Sequence, residues 1–322
     1  MSLLRCTYTC ITTGLLAVLL AAAPRTAAAQ NVDDLASWMS FVGDSIRLGE
    51  LTIPGSHDSG AMVEPIAGTA KCQSLGIADQ LAIGVRYLDI RLRQIGNALV
   101  VHHGSVYQNQ NFDDVLGQVT GFLQAHPTEA VVMEVSSEYT PANNTESYEQ
   151  SFLRYVDNPR YTAYWSRHAQ IPTLGEVRGK IVLLRRFAGS AAGAGAGAGG
   201  IDVTGWQDNT QFTLSDAAGA HIVVQDNYNV AFGTNDNKWR AVATLLDQAV
   251  GDTGTGTWYL NFTSGVRSII GIPNIPSVSN DINGRLLDRF SSSTQHHVHH
   301  GTVISDFVDQ ATIQQMLRRY FD

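Results

Sequence analysis

The sequence predicts an α/β fold, an irregular barrel of the (β/α)₈ type. Three features carry that reading: eight short apolar runs, helical periodicity between several of them, and a switch to polar residues where most runs end. The runs are Leu51–Pro54, Arg86–Arg91, Ala98–Val101, Ala130–Val135, Lys180–Leu184, His221–Val224, Trp258–Phe262 and Thr302–Ser305. Continuous apolar, β-branched stretches of this length suit strands covered on both faces, as in a parallel sheet. Between them, Phe112, Val115, Leu116, Val119, Phe122 and Leu123 share one helical face. So do Trp239, Val242, Leu245, Leu246 and Ala249; Ile282, Leu286, Leu287 and Phe290; and Ile313, Met316, Leu317 and Tyr320. No helical pattern separates runs two and three, or five and six, so the barrel is expected to be distorted.

Residues 1–30 precede this pattern and read as a secretory signal rather than fold. Arg5 is followed by the apolar stretch around Leu15–Leu20 and by Ala27-Ala28-Ala29. A charged start, a short apolar middle and small residues at the end are the signature of an exported chain. The stretch is shorter than the roughly 20 residues that cross a bilayer. Residues 31–322 are then expected to form one catalytic barrel domain, secreted. Hydrophobic content of 44% against 16% charged residues supports a sizeable core. A net charge of −8 with lysine only at 71, 180 and 238 argues against a nucleic-acid partner and against tight electrostatic docking on anionic membranes. No obligate protein partner is indicated. Cys6 and Cys10 fall in the signal, which leaves Cys72 without an internal disulfide partner and in a loop-like context that marks no activation.

The ends of the runs carry the chemistry. The first leads into Gly55-Ser56-His57-Asp58 and the second closes on Asp89-Ile90-Arg91. The third reaches His102-His103-Gly104, the fourth Glu134-Val135-Ser136 and the fifth Arg185-Arg186. The sixth reaches Gln225-Asp226-Asn227-Tyr228 and the eighth Ser305-Asp306. In a barrel these ends converge on one face, where active sites lie. Two histidines supply an acid and a base near neutrality. An arginine fork grips phosphate oxygens, and carboxylates fix histidine tautomers. The set describes displacement at phosphorus.

These motifs resemble the X-type catalytic domain of bacterial phosphatidylinositol-specific phospholipases C. The resemblance rests on Ile53-Pro54-Gly55-Ser56-His57-Asp58-Ser59, Leu88-Asp89-Ile90-Arg91, His102-His103-Gly104, Gly179–Leu184, Val224–Tyr228 and Asn261–Ser264, and it runs from about Leu51 to the C-terminus. It implies a distorted TIM barrel that attacks the phosphodiester with the inositol 2-hydroxyl, releasing diacylglycerol and a cyclic inositol phosphate. By the same resemblance His57 is the general base, oriented by Asp306. His103 is the general acid, assisted by Asp58. Arg91 clamps the phosphate, and Asp89 positions Arg91 or His103. Arg186, Asp226 and Tyr228 resemble headgroup binders, with Trp206 and Asp208 as pocket wall. Where the best-known relatives carry a lysine after the fourth strand this chain has Ser136, with Glu134 nearby. That favours unphosphorylated phosphatidylinositol or a glycosylated inositol lipid.

No metal or other cofactor is expected. Calcium-dependent relatives place oxygen ligands where this chain has Asp58, Asp89 and Arg91, and a guanidinium there repels Ca²⁺. Two other readings stay open: a metal-dependent glycerophosphodiester or sphingomyelin-type phosphodiesterase on a similar barrel, and a catalytically silent inositol-lipid binder. His102 reads as packing, and His126 and His168 as surface residues. The His296-His297-Val298-His299-His300 cluster falls on the face away from the chemistry. Residues 266–278, rich in Ile and Pro, should stand on the active-site rim, either packed on the barrel or inserted among lipid headgroups. The Ala/Gly/Ser segment 188–200 reads as a surface loop. Asn143-Asn144-Thr145 is a glycosylation sequon on an apparent loop.

Overall fold

Strand-forming and helix-forming segments alternate through the chain, as the periodicity requires. The computed structural model describes residues 34–189, 197–215, 218–252 and 256–321. The expected signal at 1–30 and part of the Ala/Gly/Ser segment lie outside these residues. The strands are β1 (Ile53–Ser56), β2 (Tyr87–Ile95), β3 (Ala98–His103), β4 (Val106–Asn111), β5 (Val131–Ser137), β6 (Trp165–Ser166), β7 (Ile181–Arg186), β8 (Ile201–Asp202), β9 (Gln211–Ser215), β10 (His221–Gln225), β11 (Thr257–Phe262), β12 (Arg267–Ile269), β13 (Ile272–Asn274) and β14 (Thr302–Ser305). The helices are α1 (Ile77–Ala82), α2 (Phe112–Ala125), α3 (Tyr148–Val156), α4 (Leu174–Val177), α5 (Asn235–Gly251), α6 (Pro276–Ser292) and α7 (Gln310–Phe321). The four helices expected from periodicity are α2, α5, α6 and α7.

Seven strands run parallel in the order β7-β5-β2-β1-β14-β11-β10 and curl into a barrel wall. The free edge of β7 carries two dipeptide strands instead of one long one. Trp165 of β6 pairs with Ile181 near its start, and Ile201 of β8 pairs with Leu184 further along. On the far side β9 covers β10 in antiparallel sense. Among the described residues no ladder joins β8 to β9, so the barrel is open at that seam.

The third apolar run is not a barrel strand. Residues Ala98–Val101 fold back antiparallel on Leu92–Ile95, making a hairpin that continues into β4. Its turn is Gly96-Asn97, both left-handed (φ 55° and 65°), the backbone that a two-residue hairpin turn demands. A hairpin needs no crossover helix, which is why none was found there.

The interior is a continuous cluster of buried Val, Ile, Leu and aromatic side chains from all seven strands and the helices outside them. One charged pair lies beneath it. Arg86, at the foot of β2, is fully buried and donates to Glu129 Oε2 (2.9 and 3.0 Å) and to the carbonyls of Leu81, Val85, Leu35 and Ala36. It ties the N-terminal 3₁₀ turn to the barrel base. Burial lowers its pKa to about 10 although Glu129 opposes the shift. Removing one partner of such a pair strands a buried charge. Glu129→Ala should therefore cost ~3–5 kcal/mol in urea unfolding; a loss below ~1 kcal/mol would mean the carbonyls alone satisfy Arg86.

Candidate active site

Most barrel strands turn polar toward their C-terminal ends, and the parallel register brings these ends to one mouth. Ser56 stands opposite Ser305 and Leu88, while Arg91 stands opposite Ser136. Backbone bonds then fix the first turn beyond β1. His57 N donates to Ser305 O (3.0 Å), and Gln73 Nε2 donates to both His57 O and Ser305 O.

Around this mouth lies a cavity of about 380 Å³ whose lining includes His57, Arg91, His103, Arg186, Tyr228 and Asp306. His57 Nδ1 is 2.7 Å from Asp306 Oδ1, and its Nε2 is 2.9 Å from Arg91 Nη2. A carboxylate on one side and a guanidinium on the other admit one neutral tautomer: Nδ1 donates, and Nε2 keeps its lone pair toward the cavity. Asp306 also accepts from Gly265 N (3.3 Å). Arg91 donates to Asp89 through Nη2 (2.9 Å) and Nε (3.2 and 3.3 Å). Burial alone would push the Asp89 carboxyl up, but Arg91 and His57 outweigh it and hold the group at about 2. Asp89 Oδ2 accepts in turn from Asp58 N (3.0 Å), locking β1 to β2.

His103 reaches the cavity from the hairpin. Its Nδ1 is 2.7 Å from Ala70 O, a pure acceptor, so that nitrogen carries a proton and Nε2 faces the cavity. Asp58 does not hydrogen-bond it. Asp58 Oδ2 lies 3.8 Å from His103 Nδ1 and 3.9 Å from Arg91 Nε, and neither carboxyl oxygen has a hydrogen-bond partner. Burial, with Asp89 adding repulsion against the pull of Arg91, raises its pKa to about 8. Asp58 is thus mostly protonated at neutrality, in a left-handed turn (φ 38°).

The expected headgroup residues divide. Arg186, Asp208, Asp226 and Tyr228 line the cavity, with Tyr228 donating to Asp208 Oδ1 (2.8 Å). Trp206 stands behind them rather than in the wall: its ring lies 4.2 Å from the Arg186 guanidinium and its Nε1 donates to Asp226 Oδ2 (3.0 Å). Ser136 is buried and does not line the cavity, because its side chain is too short to reach past the strand. Glu138, two residues on and so facing the same way, does reach it and accepts from Gly104 N. Glu134 is buried within the barrel, accepting from Tyr87 (2.5 Å) and Arg186 (3.1 Å), so it neutralises Arg186 instead of facing a headgroup. Asp89 serves Arg91 and not His103.

Sequence reading missed Glu138, the Ala70 carbonyl, Gln73, and Lys238. Lys238 is buried under the mouth and donates to Phe262 O (2.5 Å) and Gln225 Oε1 (3.3 Å). Cys72 lies in a stretch without regular structure, as expected, but fully buried, with Sγ 3.8 Å from His103 Nδ1 and its thiol pKa raised by burial.

The pattern of the X domain of phosphatidylinositol-specific phospholipase C matches residues 47–187. A 1-phosphatidylinositol phosphodiesterase of Staphylococcus aureus strain Newman is 36% identical over 238 residues, 71% of this chain and 74% of its own length. One from Listeria monocytogenes is 33% identical over 153 residues, 46% of this chain and 47% of its own. Among solved structures, a Staphylococcus aureus phosphatidylinositol-specific phospholipase C from work on its membrane binding superposes with TM-score 0.78. It shares 30% identity and covers 89% of this chain and 98% of that one. The Listeria monocytogenes enzyme shares the fold at TM-score 0.65 and 23% identity, over 89% and 98%.

The buried Asp58 gives the site a pH signature. Unfolded, its carboxyl ionises near 3.8; folded, near 8. Between those values the native state holds a proton the unfolded chain has released, so this group's contribution to stability falls as pH rises from 4 to 8. Asp58→Asn removes that slope. The variant should gain on the parent across this window by ~2 kcal/mol or more in denaturant melts, whereas a pH-independent difference would mean that native Asp58 is ionised.

Proposed function

The chain belongs to the phosphatidylinositol-specific phospholipase C X-domain family, and from that premise we propose that it cleaves phosphatidylinositol to diacylglycerol and a cyclic inositol phosphate. The observation that carries the reading is the linked chain Asp306–His57–Arg91–Asp89 at the cavity mouth, with His103 beside it. His57 Nε2 takes the proton of the inositol 2-hydroxyl as that oxygen attacks phosphorus, and Asp306 stabilises the imidazolium formed. In the free protein Arg91 Nη2 occupies that lone pair. A bound phosphate draws the guanidinium to its own oxygens and releases Nε2 for the hydroxyl. As an imidazolium, His103 gives its Nε2 proton to the departing glycerol oxygen, while its Nδ1–H goes on donating to Ala70 O. Protonated Asp58, beneath His103, adds no negative charge to resist the transfer.

Arg91 supplies the charge that a metal supplies elsewhere, so turnover proceeds without one. Glu138, Asp208 and Asp226 at the mouth, with Arg186 already paired to Glu134, disfavour extra phosphates on the inositol ring. Phosphorus NMR of phosphatidylinositol treated with the enzyme should show the cyclic phosphate, equally with and without EDTA; loss of product in chelator would favour the metal-dependent phosphodiesterase reading. His57→Ala and His103→Ala should each lower kcat by about 10²–10⁴. Arg91→Lys should be damaging too, because a point charge cannot replace the fork. Unchanged turnover in any of the three would remove its assigned role.

A lipid surface is the partner the rim suits. The β12–β13 hairpin holds Ile270 98% exposed at its tip, with Ile269 and Ile272 beside it, while Pro273 and Ile275 line the cavity. Phe232, 85% exposed, is joined to the same rim through Arg267. Exposed branched and aromatic side chains on this rim insert by apolar burial, consistent with the acidic chain. Ile270→Asp should cut hydrolysis of bilayer phosphatidylinositol at least ~10-fold and leave a soluble short-chain substrate untouched; equal loss on both would place Ile270 in the site and not at the membrane. Export from the cell fits such an enzyme and rests on the reading of residues 1–30.

A further inference from the structure

The thiol beneath the cavity has no task in the chemistry just described, yet three potential ligand atoms meet there. Cys72 Sγ is 3.8 Å from His103 Nδ1, His103 Nδ1 is 3.8 Å from Asp58 Oδ2, and all three atoms lie within 4.8 Å of one another. Four-coordinate zinc with bonds of 2.0–2.3 Å separates its N, O and S donors by roughly 3.3–3.6 Å. Shifts of a few tenths of an ångström to about 1 Å therefore bring the triad onto a metal. The second observation is Asp58. Its carboxyl is fully buried, points into this triad, and neither oxygen accepts a hydrogen bond. The related group His57, Cys72 and Asp306 shares the same sulfur, but there His57 and Asp306 are already engaged with each other at 2.7 Å.

We infer that Cys72, His103 and Asp58 form a site for a thiophilic divalent cation, Zn²⁺ or Cd²⁺, whose binding stops turnover. The donor set decides the class of ion. One sulfur, one imidazole and one carboxylate suit Zn²⁺ or Cd²⁺ and offer too few oxygens for Ca²⁺ or Mg²⁺. A cysteine ligates as the thiolate, so binding here requires an ion with a strong thiolate bond to displace the thiol proton. Arg91 is the nearby opposing charge, and Asp89, bonded to it, offsets it. Inhibition follows from the ligands. A metal on Nδ1 pulls His103 off Ala70 O, and a metal-bound imidazole no longer takes up the second proton that general acid catalysis requires. The resident chemistry runs without a metal, and this site poisons it.

The test titrates Cd²⁺ and Zn²⁺ into the purified full-length chain in chelator-free, non-coordinating buffer. Cd²⁺ should produce an ultraviolet thiolate charge-transfer band saturating at one ion per chain, a readout independent of activity. Either ion should inhibit reversibly, with activity restored by EDTA, while Ca²⁺ and Mg²⁺ do neither. Cys72→Ser should retain basal turnover, lose the band, and need roughly 100-fold more metal for the same inhibition. Cys72→Ala, with the fold checked by circular dichroism, separates loss of the ligand from loss of structure. No band in the parent, or inhibition that persists unchanged in both variants, overturns the inference. Loss of cyclic-phosphate formation without any metal would instead count against the catalytic reading.

Discussion

The pairing of Arg91 with buried Asp89 is the constraint on which the site depends. The guanidinium must stand at the mouth of an apolar barrel, where a lone cation is costly. Asp89 offsets that cost two residues away on the same strand, because alternate residues face the same side. The same carboxylate then accepts from Asp58 N and so fixes the turn that carries His57. One buried charge thus holds the proposed phosphate clamp, the strand register and the proposed base together.

The open seam has a bearing on function. Among the described residues the eighth place in the wall is filled only by the fragments β6 and β8, and β9 caps β10 without reaching across. Arg186, Trp206 and Asp226 stand near this seam and hold one another by a cation–π contact and an indole hydrogen bond. The residues proposed for catalysis, by contrast, come from β1, β2, β14 and the β3 hairpin on the continuous part of the sheet. On the proposed reading, chemistry sits where the ladder is unbroken, and headgroup recognition sits where it is not.

Much of this was legible in the chain. The change from apolar to titratable at the ends of β1, β2, β7, β10 and β14 follows from topology, since parallel strands must deliver their C-terminal ends to one face. The hairpin was misread as a barrel strand although Gly96-Asn97 is a turn signal; a run of β-branched residues does not reveal its pairing direction. Glu138 was recoverable by counting two from Ser136. Ala70, Cys72 and Gln73 were not. They lie in an aperiodic stretch between β1 and α1, and only tertiary contacts such as Phe307 N to Cys72 O seat them under the site. Lys238 likewise becomes a buried donor only because α5 packs on β10 and β11.

Asp58 shows what this geometry costs. A carboxyl with no hydrogen bond, in a left-handed turn, is a local loss that the rest of the fold must outweigh. Its backbone N–H explains part of that, because the turn is needed to reach Asp89. Its side chain is explained by charge. An ionised carboxylate there would pull on Arg91 in competition with Asp89 and would hold the His103 proton more tightly. Burial favours the neutral form instead, which on the proposed mechanism leaves Arg91 free to exchange His57 for phosphate. On the inference drawn above, the thiol and imidazole beside it are the donors a soft metal seeks, and the carboxyl joins them only on losing its proton. The unpaired oxygen proposed to keep the site running on a guanidinium would then also complete a site for the wrong ion.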